Sequence, residues 1–151
     1  MMKTSPAFWI AFVLTGYTAG CSTIGTSTDH MKPASLYQRL GEKPAITAVV
    51  DDFVARVAAD SRINGRFASA NIPRLKINLV DRICAASGGP CAYTGRDMRT
   101  AHAGMGISNA DFDALVGDLV ETLNKFKVPD REKNELLSVL GPMRKDIVER
   151  P

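Results

Sequence analysis

Beyond residue 35 the apolar residues recur at helical spacing almost without a break. Ile46, Val49, Val50, Phe53 and Val57 fall at i, i+3, i+4, i+7 and i+11, with Pro44 where a first helical turn tolerates it, which predicts a long helix ending near Asp60-Ser61. A second helix opens at Asn71-Ile72-Pro73. It carries Leu75, Leu79 and Ile83 at intervals of four, flanked by Ile72, Val80 and Cys84, until Gly88-Gly89-Pro90 stops it. Between Arg96 and Ala103 only a brief helix fits, because Gly104 and Gly106 interrupt the pattern. Ser108 followed by Asp111 has the spacing of a capping box, and Phe112, Leu115, Val116, Leu119, Val120, Leu123 and Phe126 then keep the 3-4 rhythm. After Val128-Pro129-Asp130, a last helix with Leu136, Leu137, Leu140, Met143, Ile147 and Val148 should be kinked by Gly141-Pro142. No stretch alternates with period two for long enough to argue a sheet, so the expected class is all-α.

The stretch before these helices is built differently. One lysine, Lys3, precedes an uncharged run from Pro6 to Leu14, which has the order of a secretory signal and is too short to span a bilayer. It closes on Thr18-Ala19-Gly20-Cys21, which resembles the lipobox of bacterial lipoproteins except that Thr18 stands where leucine is usual. That resemblance implies lipidation at Cys21 and anchorage by two or three acyl chains; the alternatives are simple cleavage or a retained anchor. Residues 22–35 are rich in Ser, Thr and Gly and read as a flexible tether, with a reach on the order of 20 Å. The chain therefore divides into a signal segment at 1–21, the tether at 22–35 and one folded domain at 36–149.

Composition adds little beyond this. A 151-residue chain that is 45% hydrophobic and 23% charged suits one compact core. Its net charge of +3 falls to +2 if Lys3 is removed, and basic residues alternate with acidic ones, as at Asp51, Asp52, Arg56 and Asp60. This is the pattern of a solvated face, with nothing that points to nucleic acid.

Of the two histidines, His30 lies in the tether, while His102 lies on the short helix just before the glycine-broken corner. A lone histidine on a short helix is by default a packed or surface residue, and spacing does not decide its role. The run around it is more specific. Tyr93-Thr94-Gly95-Arg96-Asp97-Met98, then Ala101-His102-Ala103-Gly104-Met105-Gly106-Ile107 and Phe112, resembles the proximal segment of group 1 truncated haemoglobins. Leu36-Tyr37-Gln38-Arg39-Leu40-Gly41, Val49-Val50-Asp51-Asp52-Phe53 and Gly88-Gly89-Pro90 agree in order and spacing, so the resemblance spans about Ser35 to Val148.

The resemblance implies a two-over-two helical sandwich around haem b. His102 matches the proximal iron ligand, and Phe67 the phenylalanine that stacks on the haem. Lys76 matches a basic residue that pairs with a propionate. Phe53, Leu75, Leu79, Tyr93, Met98, Ile107 and Phe112 match the haem pocket, though each apolar one among them reads equally well as plain core. Many members carry a tyrosine directly after the residue matching Phe53 and a glutamine where this chain has Leu75 or Leu79. Here the distal positions are Val54, Leu75 and Leu79, none with a donor for bound oxygen. Peroxidase chemistry would need a distal base and a cation, which are not visible. The expectation is a five-coordinate haem protein that reversibly binds oxygen, carbon monoxide or nitric oxide on the periplasmic side of a bacterial membrane. The alternative is a haem redox enzyme such as a nitric oxide dioxygenase, which needs an electron donor. An exported domain meets an oxidising compartment, where Cys84 and Cys91 would pair; otherwise Cys84 is a buried apolar residue and Cys91 a free thiol.

Overall fold

The computed structural model describes residues 33–150, and within them the chain is helical. The signal segment, Cys21, His30 and the tether as far as residue 32 lie outside the described residues. Four helices are long: α2 (Glu42–Ala59), α3 (Ile72–Ala86), α5 (Asn109–Lys125) and α6 (Asp130–Leu140). Three are short: α1 (Leu36–Arg39), α4 (Met98–His102) and α7 (Arg144–Ile147). One 3₁₀ turn spans Asn64–Phe67 and another, Gly141–Met143, separates α6 from α7. Among the described residues there is no β-strand, only a parallel bridge between Ser108 and Arg150.

The centre of the fold is α2, which packs against both α3 and α5. It buries Ile46, Val50, Phe53, Val54 and Val57, each contributing about 1.5–3 kcal/mol relative to an exposed position. Val80, Ile83 and Cys84 from α3, Ala114, Leu119 and Leu123 from α5, Leu36 from α1 and Leu136 from α6 complete the same cluster. Only the second half of the α3 stripe is thus fully buried, and Leu75 and Leu79 in its first half stay half-exposed. On α5 the buried face turns slightly from the apolar stripe to take in Asp118 and Thr122, and Phe126 ends 40% exposed at the helix terminus.

Capping sets the helix starts. Ser108 Oγ accepts from Asp111 N at 3.1 Å, and Asp111 Oδ2 accepts from Ser108 N at 2.8 Å, which closes the expected capping box. A second such box, between Ser35 and Gln38, starts α1. The Gly141-Pro142 pair does more than kink the last helix: α6 stops at Leu140, and α7 sets off on its own to pack against α4.

The charges are not all solvated. Glu132, 8% exposed, accepts from Arg39 Nε at 2.9 Å, and Arg39 also pairs with Glu135, so α1 is clipped to α6. Asp118 is 6% exposed and its Oδ2 has no hydrogen-bond partner. Burial, followed by the charge of Asp60, pushes its carboxyl above the usual value. The folded protein therefore holds this proton more tightly than the unfolded chain. The associated stability is present at low pH and is lost as pH rises through the raised value.

Candidate functional site

Asp97 Oδ1 accepts from Thr100 N at 2.9 Å and starts α4, which lasts for five residues and ends on His102. A helix this short has no stability of its own and depends on what packs around it. The half-buried His102 ring places Nδ1 2.7 Å from the Met98 carbonyl, one turn back. A carbonyl can only accept, so Nδ1 carries the hydrogen, and in the neutral ring Nε2 is left with a free lone pair. This is the tautomer of a metal-ligating histidine, with its other nitrogen anchored to the backbone.

The residues expected around a haem fall into two sets. Phe53 and Val54 are buried on α2, and Phe67 and Leu79 pack half-buried against the same cluster. Ile107 and Phe112 are each 7% exposed yet stand apart from that cluster, as do the half-buried Leu75 and Met98. Apolar side chains withdrawn from water but outside the main core suit packing against a flat apolar group, and a ring nitrogen with a free lone pair suits its iron. The residues present therefore fit haem. Lys76 Nζ lies 2.8 Å from Asp51 Oδ1, a pair with much of both side chains in solvent.

Tyr93 builds the loop between α3 and α4. Its ring lies 3.6 Å beneath the Arg82 guanidinium, and its hydroxyl donates to the Arg96 carbonyl at 2.8 Å. Cys84 and Cys91 are bonded, which ties that loop to the end of α3. Gly89 passes so close that a Cβ there would sit 2.6 Å from the Tyr37 ring and 2.7 Å from Cys84 Sγ, so only glycine fits.

Two groups that hold the corner after His102 escaped the sequence reading. Arg66 Nη1 donates to the Met105 carbonyl at 2.8 Å while Nη2 donates to Asp111 at 3.0 Å, joining the Phe67 turn to the start of α5. Glu149 accepts from the backbone N–H groups of Gly104 and Gly106, and these donors hold its carboxyl below the usual value. The capping-box spacing marks Asp111, but nothing local marks its partner Arg66 or Glu149. Two open surface hollows, of about 470 and 500 Å³, are lined by residues such as Arg62, Asp111 and Asp113 in one and Asn109, Pro142 and Arg144 in the other, and neither is lined by an expected haem-side residue.

Comparison with known proteins gives a consistent picture. The family model described as bacterial-like globin matches residues 35–149. A group 1 truncated hemoglobin of Mycolicibacterium paratuberculosis is 38% identical over 77% of this chain and 85% of its own length. Another, from Tetrahymena pyriformis, is 34% identical over 78% of this chain and 97% of its own. The crystal structure of the Tetrahymena pyriformis truncated hemoglobin in its Fe(III) form superposes with a TM-score of 0.74, at 33% identity, covering 76% of this chain and 98% of that one. A Synechococcus 2/2 hemoglobin, solved in the cyanomet state with covalently attached heme, gives 0.73 at 32% identity, covering 78% of this chain and all of that one, 100%.

Proposed function

The chain belongs to the bacterial-like globin family, and from that premise we propose that its domain holds haem b on His102 and reversibly binds a diatomic gas on the opposite face. The observation that carries this reading is the anchored imidazole: Nδ1 is committed to the Met98 carbonyl, and Nε2 is free for iron. When bound on His102, haem would supply an iron able to take up a diatomic gas. Phe67, Leu75, Met98, Ile107 and Phe112 exclude water from its faces. An exposed ion pair is worth about 0–1 kcal/mol, so Lys76 can leave Asp51 for a haem propionate at little cost. Val54, Leu75 and Leu79 offer the gas no hydrogen bond. The only other histidine is His30, in the tether, so the domain has no second imidazole to close the open position.

The experiment is a ligand titration of the ferrous protein alongside nitric oxide consumption with a reductant present. Reversible binding of carbon monoxide and oxygen without sustained turnover is the expected result. Steady nitric oxide consumption would replace this reading with a dioxygenase and an electron donor.

Lys3, the apolar run and Cys21 support export on a signal segment and attachment of the domain to the outer face of a membrane through a lipidated cysteine. The Cys84–Cys91 bond, which suits an oxidising compartment, supports it further. With a sequence separation of 7 the bond should stabilise by about 2 kcal/mol, through the freedom it removes from the unfolded loop. Mass spectrometry of protein from the membrane fraction should find Cys84 and Cys91 linked and an acylated N-terminus at Cys21. Two free thiols, or a retained leader, would refute the respective part.

A further inference from the structure

The bend at Gly141-Pro142 turns the chain back so that α7 packs on α4 and Arg99 pairs with Asp146 at 2.9 Å. The residues that follow run beside the corner that leaves His102. Glu149 N and Arg150 N both donate to the Ile107 carbonyl, at 2.9 and 3.0 Å, and Asn109 N donates to the Arg150 carbonyl at 3.2 Å. Arg150 Nε donates to the Gly106 carbonyl at 2.8 Å. The Glu149 carboxylate takes one backbone N–H with each oxygen, Gly104 N at 2.7 Å and Gly106 N at 2.5 Å. Gly104 and Gly106 hold φ of +77° and +61°, a conformation natural to glycine, and it brings both amides to the same carboxylate. From the other side Arg66 holds the Met105 carbonyl, so the corner is gripped twice.

We propose that Glu149 is a positioning residue for the iron ligand: its carboxylate fixes the two amides just past His102 and thereby sets where Nε2 is presented. This inference rests on the haem reading above. A five-residue α4 cannot hold the imidazole by itself, and among the described residues no other acceptor takes the Gly104 and Gly106 amides. Glu149 touches neither the iron nor the gas.

The test uses the full chain with Glu149→Ala and Glu149→Gln. Without haem, amide exchange at Gly104 and Gly106 should rise at least about tenfold in Glu149→Ala, the loss expected for charge-assisted hydrogen bonds, while α2 and α5 keep their protection. Glu149→Gln retains one acceptor oxygen and should rescue one of the two glycines. With haem, the stretching band of the His102–iron bond should move and broaden in Glu149→Ala and return part of the way in Glu149→Gln. Unchanged exchange at both glycines overturns the clamp, and a band that stays put while exchange rises overturns its positioning role. If the unsubstituted chain takes up no haem, the functional reading falls, and the exchange arm separately upholds or overturns the clamp.

Discussion

His102→Ala is expected to lose haem almost completely on desalting. The side chain that would bind iron is unique within the domain, because the remaining histidine, His30, precedes the folded domain in the sequence. Apolar burial of the macrocycle by Phe67, Phe112 and Ile107 would still give weak, non-stoichiometric binding, which is why the comparison must be made after gel filtration. His102 is half-buried and its ring makes a single hydrogen bond, back to Met98, so the helical fold should survive the substitution. Circular dichroism checks that, and the Soret absorbance per chain gives the result. Stoichiometric haem in His102→Ala at unchanged stability would show that some other residue holds the iron.

The second large effect concerns the open face. Val54 is 7% exposed on α2, one residue after the equally buried Phe53, and its side chain has no donor. Oxygen should therefore leave quickly, and carbon monoxide, which depends less on a hydrogen bond, should be favoured. Val54→Tyr supplies a hydroxyl, and a hydrogen bond worth ~1–3 kcal/mol should slow oxygen release by roughly ten- to a hundredfold. The larger ring must also be accommodated in a packed region, at a cost in stability of about 1–3 kcal/mol that can be followed separately by thermal unfolding. Flash photolysis and stopped flow measure the release. Slow release from the unmodified protein, unchanged by Val54→Tyr, would mean that another group donates to the ligand and that the distal side is not apolar.

Much of the fold was legible where it rests on periodic burial. The α2 stripe at Ile46, Val50, Phe53 and Val57 is the centre of the core, and the Ser108 and Asp111 spacing marks the start of α5. Elements too short for a period were not legible. The four-residue α1 and the Asn64–Phe67 turn carry less than two turns of pattern each, although Ser35 and Gln38 have capping-box spacing that could have revealed α1. The charge pattern misled at Glu132: interleaving on paper says nothing of a tertiary partner, and this carboxylate is buried because Arg39 comes to it from another helix.

The site divides in the same way. His102 stood out through the run of residues around it, not through helical spacing. Its tautomer depends on where the Met98 carbonyl points, which is a property of the backbone once folded. The half-exposure of Leu75 and Leu79 was equally hidden, since a periodic stripe does not say how far along its length a neighbour covers it. Least legible was the grip of Glu149 on Gly104 and Gly106, which joins residues more than forty positions apart.

The most direct measurement is a haem titration of the purified domain, followed by the absorbance and resonance Raman spectra of its ferrous form without added ligand. One haem per chain, a sharp Soret band and a five-coordinate, histidine-ligated iron are the expected result. Absence of stoichiometric uptake, or a six-coordinate ferrous iron closed by a second side chain, would contradict a haem held on His102 with its opposite face open to gas.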